Sequence, residues 1–132
     1  MSMRTRWMAG AVAVVLSLAI PSPGVSQSSG PPKTAFAVFA AGCFWCVEQA
    51  FDEVDGVLET TSGYTGGTKA KPTYEEVSSG GTGHTEALKV TYDPSKVTYD
   101  RLLQQFWHNV DAVDGGGQFC DRGNQYRPAI FY

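Results

Sequence analysis

The stretch AAGCFWCVEQAF, residues 40–51, sets two cysteines around a Phe-Trp pair, directly after an apolar run and a glycine. Upstream, TAFAVFAA at 34–41 is short and apolar, the signature of a buried strand. Gly42 permits a tight turn. From Cys43 to about Glu53 the apolar Phe44, Val47, Phe51 and Val54 recur every three or four positions, which is the stripe of an amphipathic helix. This order puts Cys43 in the helix's first turn, where backbone N–H groups lack intrahelical partners and the positive end of the dipole favours a thiolate. A thiol becomes a nucleophile near neutrality in this way. Cys46 follows one helical turn later, within possible disulfide reach. The C-x-x-C spacing alone leaves open a nucleophile, a thioredoxin-like redox pair, half of a metal site, or two buried structural cysteines.

Beyond the helix, Gly56 is a stop signal, and VLETTSGY at 57–64 predicts a second strand leading into a long loop rich in Gly, Ser, Thr and Pro. The stretch HTEALKVTYDP, 84–94, alternates. Thr85, Ala87, Lys89 and Thr91 point one way, and Glu86, Leu88, Val90 and Tyr92 the other. A second helix is expected over about Thr98–Val110, with Leu102, Leu103, Phe106, Trp107 and Val110 on one side. A polar loop at 111–125 then precedes a last strand, YRPAIFY. Loops of that length inside a compact domain are usually functional. The order strand, helix, strand, strand, helix, strand predicts an α+β fold, a two-layer sandwich of ferredoxin-like type with both helices on one face.

The first 26 residues read as a secretory signal peptide. Arg4 and Arg6 precede an apolar run from Trp7 to Ile20, followed by Pro21, Pro23 and small residues. That run is shorter than the roughly 20 residues that span a bilayer. Cleavage is expected near Ser26, residues 27–33 form a flexible lead-in, and the domain occupies 34–132. The mature protein is then exported, to a periplasm or beyond. It carries eight Lys and Arg against 13 Asp and Glu, a net charge of −5, which argues against nucleic acid as a partner. Three cysteines in an exported domain leave one thiol free or serve chemistry rather than stapling.

Glu86 is the acid on the apolar face of its strand. Burial disfavours a charged carboxylate, so this group is expected to hold its proton towards neutrality and to serve as a general acid. Tyr74, Asp121 and Tyr126 fall in loops or at a strand start, where polar groups can line a site, whereas Phe44 and Trp45 default to the core. A zinc site would need Cys43, Cys46, Cys120 and His84 or His108, but no second C-x-x-C or H-x-x-x-H pair completes it.

GCFWCVE at 42–48, GYTGG at 63–67, PTYEEV at 72–77, SGGTGHTEALKVTYDP at 79–94, LLQQFW at 102–107 and DRGNQYR at 121–127 together resemble the peptide methionine sulfoxide reductases of the A type, over about residues 35–132. The resemblance implies reduction of the S epimer of methionine sulfoxide, free or in proteins, with no metal or organic cofactor. Electrons would come from thioredoxin or a thioredoxin-like dithiol. It assigns the nucleophile to Cys43, the aromatic pair that holds the S-methyl group to Phe44 and Trp45, and the acid to Glu86. Tyr74, Asp121 and Tyr126 become the polar groups around the sulfoxide oxygen. After turnover Cys43 would be a sulfenic acid, which condenses with a second thiol. Many members carry glycine where this chain has Cys46, asparagine where it has Cys120, and a recycling cysteine in a tail that is expected to be absent here. The resolving thiol is therefore expected to be Cys46, with Cys120 as the alternative. The protein is expected to act as a monomer. An exported thiol-disulfide oxidoreductase using Cys43 and Cys46, and a non-catalytic module that binds oxidised segments, are the competing readings.

Overall fold

Phe39 lies at the centre of the fold, fully buried, with its ring 5.1 Å from that of Phe51, 5.5 Å from that of Phe106 and 6.2 Å from that of Tyr99. A computed structural model describes residues 33–132, and the expected signal peptide and most of the lead-in lie outside the described residues. The elements run β1 Ala35–Ala40, α1 Phe44–Asp52, β2 Val57–Thr65, α2 Tyr74–Ser78, β3 Thr85–Tyr92, α3 Tyr99–His108, β4 Gly117–Gln118, β5 Asp121–Arg122, a 3-10 turn at Asn124–Tyr126, and β6 Ala129–Phe131. Four strands pair antiparallel in the order β2-β3-β1-β6, the arrangement expected of a ferredoxin-like sheet.

Each strand of this sheet offers one face to the helices. Ala37 and Phe39 of β1 and Leu88, Val90 and Tyr92 of β3 meet Val47 and Phe51 of α1 and Leu102 and Phe106 of α3 in one apolar cluster. The opposite face is partly open: Phe36 is 67% exposed, with the Lys89 ammonium 5.3 Å above its ring. β1 is thus half-buried, and the continuous run TAFAVFAA concealed its alternation.

Helix α3 starts where Thr98 accepts a bond from the Arg101 N–H at 3.2 Å, and it ends two residues before Val110, at His108. Trp107 departs from the expected stripe and is about half exposed, packing edge-on against Phe106. Two segments expected as irregular loops carry structure. The first contains α2, whose capping box closes Thr73 on Glu76 in both directions. The second folds into the small β4–β5 hairpin and the 3-10 turn. The last strand is shorter than expected, Ala129–Phe131, because Tyr126 belongs to that turn and Pro128 cannot donate to a ladder.

Gly42 joins β1 to α1 at φ +91°, and a Cβ there would stand 2.7 Å from the Cβ of Gln118. Gly42→Ala combines left-handed strain with overlap against the hairpin. It is expected to cost about 2–4 kcal/mol, read as a lowered urea midpoint with an unchanged slope. A loss below about 0.5 kcal/mol would mean that the hairpin is not held against this turn.

Candidate active site

Cys43 is the N-cap of α1, at φ −58° and ψ 116°, one step outside the first turn where the periodicity put it. Its carbonyl accepts from Cys46 N–H at 3.1 Å and Val47 N–H at 3.2 Å, and its half-buried side chain makes no capping bond to the helix. Cys46 is exposed. Its thiol is pushed above the usual cysteine range, first by the burial it has, then by negative charge on Cys43 and a hydrogen bond to it, then by Asp121. Cys43, Cys46, Cys120 and Asp121 line one cavity of about 320 Å³, with Phe119 and Gln118 among the other walls. A larger cavity of about 580 Å³ is bordered by Glu53, Asp55, Lys96 and Arg101 and has no cysteine on its walls.

Glu86 lies on the core-facing side of β3 and is only 2% exposed. One carboxylate oxygen accepts the Phe44 N–H at 3.0 Å, which brings the acid against the residue that follows Cys43. Burial pushes this carboxyl above the usual glutamate range. The Phe44 N–H opposes that shift, and Asp121 adds to it. Tyr126, on the 3-10 turn, is raised by burial and then by Glu86, Tyr74, Asp121 and Cys43. Cys43, Tyr74, Glu86 and Asp121 are thus near enough to Tyr126 to act on its hydroxyl.

Phe44 is buried, but Trp45 is 60% exposed, against the core placement expected for it. The two rings stand 5.4 Å apart, and Tyr74 lies nearly parallel to Trp45 at 5.8 Å. They form an apolar wall open to solvent on one side. Tyr64 completes the wall, 5.7 Å from Phe44 and paired with Glu86 across the β2–β3 ladder. Sequence reasoning missed it, although the alternation of β3 and the pairing of neighbouring strands could have put it opposite Glu86.

Two polar residues hold the surroundings in place: Gln118, which the sequence reading passed over, and His84, which it weighed only as a zinc ligand. Gln118 is fully buried; its Oε1 accepts the Asp111 N–H at 2.7 Å, and its Nε2 donates to the carbonyls of Asp111 and Asp114 at 3.0 and 3.1 Å. These bonds fold the 111–117 segment beneath the hairpin that carries Cys120 and Asp121. His84 accepts the Gly67 N–H at Nδ1 and meets the Lys69 carbonyl at Nε2, 3.2 and 2.8 Å away. Both ring nitrogens are thus engaged by backbone. Among the described residues, no three His, Cys, Asp or Glu side chains are grouped to hold a metal.

Residues 35–132 match the family described as peptide methionine sulfoxide reductase. Among curated relatives, peptide methionine sulfoxide reductase MsrA 2 of Caulobacter vibrioides is 58% identical over 100 residues, 76% of this chain and 51% of its own length. The MsrA of Limosilactobacillus reuteri is 57% identical over 95 residues, 72% of this chain and 54% of its own. The chain spans about half the length of these relatives. Among solved structures, methionine sulfoxide reductase A of Corynebacterium diphtheriae superimposes with a TM-score of 0.73 at 41% identity, covering 77% of this chain and 48% of that one. Reduced Mxr1 of Saccharomyces cerevisiae gives 0.71 at 28% identity, covering 82% and 64%.

Because the Glu86 carboxyl is raised on folding, its ionisation opposes the folded state. Its contribution is complete below the unfolded glutamate range and is lost as pH rises through the folded value. Glu86→Gln removes that loss while keeping an acceptor for Phe44. The variant is expected to be more stable than the parent at neutral and alkaline pH, with the advantage fading in acid. Chemical denaturation at a series of pH values measures this, and a variant equally or less stable at pH 8 would show that the buried carboxyl carries no ionisation cost.

Proposed function

The chain belongs to the peptide methionine sulfoxide reductase family, and we propose from this premise that its domain reduces methionine-S-sulfoxide, free and in oxidised proteins. The observation that carries the reading is the approach of a buried, upshifted Glu86 to the helix start occupied by Cys43. In this reading the Cys43 thiolate attacks the sulfoxide sulfur while Glu86 gives its proton to the oxygen. The sulfur–oxygen bond breaks, methionine leaves, and the hydroxyl ends on Cys43 as a sulfenic acid. A second thiol attacks that sulfur, water leaves, and a disulfide remains. A thioredoxin-like dithiol then returns two electrons by exchange, so no metal or organic cofactor enters the cycle.

The side chains have distinct tasks. Phe44 and Trp45 provide the apolar contact for the S-methyl group, and Tyr74, Tyr126 and Asp121 surround the oxygen. Cys46 is the preferred resolving thiol, supported by its place one helical turn from Cys43 on the same cavity. Cys120, on the same cavity, is the alternative. The reading extends to residues 1–26 as a signal peptide that directs the domain out of the cytosol.

Single-turnover methionine release from each epimer of a sulfoxide peptide, with the reduced protein and Cys43→Ser side by side, tests the proposal. One equivalent is expected from the S epimer with Cys43 present, and none from the R epimer or from the variant. Release from neither epimer by the folded protein would overturn the activity. Glu86→Gln is expected to slow release by roughly a hundredfold or more, as for loss of a general acid; a general thiol-disulfide oxidoreductase would keep its insulin-reducing activity in that variant. Peptide mapping after one turnover is expected to show a Cys43–Cys46 bridge. A Cys43–Cys120 bridge would reassign the resolving thiol.

A further inference from the structure

Tyr74 and Tyr126 come from two segments that lie outside the main sheet. Helix α2 has only five residues, too few to hold its own geometry in water. Its start is fixed by the capping box, reinforced by the Lys69–Glu76 ion pair at 3.0 Å. At its end Ser79 and Gly80 supply donors to the Glu75, Glu76 and Val77 carbonyls. The last carbonyl, Ser78 C=O, accepts the side-chain amide of Gln125 at 2.9 Å. The backbone carbonyl of Gln125 in turn accepts the Thr85 hydroxyl at 2.8 Å, and Thr85 is fully buried next to Glu86. His84, on the other side of Thr85, returns to the loop before α2 through Gly67 and Lys69.

Hydrogen bonds therefore form a closed circuit from the start of β3 to the 3-10 turn, to the end of α2, through the preceding loop and back to β3. Among the described residues, the Gln125 amide provides its one side-chain hydrogen bond between the two tyrosine-bearing segments. That side chain lies over Gly123, where a Cβ would overlap its Oε1. Gln125 is half-buried and outside the apolar cluster, so its removal leaves the core untouched.

We propose that Gln125 is a positioning residue: by holding the C-terminal carbonyl of α2 it fixes Tyr74 with respect to Tyr126 and Glu86. It touches none of the reacting atoms, and its effect passes through Tyr74. The inference rests on the reductase reading for its kinetic consequence, but not for its structural one.

Two measurements separate these consequences. Hydrogen exchange of the α2 amides, read on a peptide covering residues 73–80, is expected to be at least about tenfold faster in Gln125→Ala than in the parent, with the core peptides unchanged. Equal exchange overturns the proposal whatever the protein catalyses. On a methionine-S-sulfoxide peptide, Gln125→Ala is expected to lower kcat/KM by roughly tenfold or more, chiefly in kcat. The same substitution in a Tyr74→Phe background is expected to cost less than about twofold, because the residue it acts through is already changed. Costs that multiply in the double variant would overturn the role through Tyr74. Gln125→Glu keeps the volume and loses the donor at neutral pH, and should repeat both results if Gln125→Ala fails to fold. A parent that reduces neither epimer, with α2 exchange still accelerated in the variants, would leave the structural link standing and remove the reductase reading alone.

Discussion

The hydrogen bond from the Phe44 amide to the Glu86 carboxylate, 3.0 Å long and buried, is the constraint on which the site depends. Each group alone would be expensive to bury. A helix's first N–H has no partner within the helix, and a carboxylate removed from water costs several kcal/mol unless it is bonded. Together they satisfy each other, and their pairing fixes the start of α1 against the middle of the sheet. Cys43 is the residue before Phe44, so the bond that settles the acid also settles the thiol. Because α1 buries Phe44, Val47 and Phe51 on one stripe, the helix cannot rotate to leave this contact without exposing its core face.

Two kinds of cohesion meet at this point. Beneath the helices, the rings of Phe39, Phe51 and Phe106 and the aliphatic side chains around them need only shape and apolarity. Above the site there is little apolar cover, and Trp45 and Tyr74 remain 60% and 42% exposed. Order there comes from polar side chains bonded to backbone: Gln118 beneath the hairpin, His84 and Gln125 around α2. Such bonds contribute only about 1 kcal/mol each in net terms, but they are directional, and a site needs direction more than adhesion.

What the sequence made legible divides along the same line. The stripe of α1, the alternation of β3 and the core positions Leu102 and Phe106 follow from local periodicity, and the structure keeps them within a residue or two. Glu86 on the buried face follows from that alternation as well. The loops were not legible, because the bonds that shape them join positions far apart in sequence, such as Thr85 to Gln125 and Gln125 to Ser78. No local pattern encodes those pairs. Helix α2 is the intermediate case: Thr73 and Glu76 have the spacing of a capping box, but Val77 is the one buried residue that follows, and a single apolar position has no period. Trp45 was placed inside by its chemistry, and Trp107 by the spacing of the α3 stripe. Both sit beside a buried Phe that already occupies the inward direction.

The position of Cys43 also bears on how a disulfide could form without damaging the fold. A bridge between residues three apart inside a helix would strain helical dihedrals that its hydrogen bonds hold in place. Cys43, however, has the non-helical ψ of an N-cap, and the helix proper begins after it. Its backbone can therefore turn towards Cys46 at the expense of two bonds accepted by its own carbonyl, while α1 keeps its apolar stripe on the core. For Cys120 the corresponding movement falls on the hairpin, whose base is anchored by the bonds of the fully buried Gln118 two residues away. Releasing two backbone bonds at a helix end that water can reach costs less than releasing a buried amide from its acceptors. On that comparison the proposed Cys43–Cys46 bridge asks less of this fold than a Cys43–Cys120 bridge would.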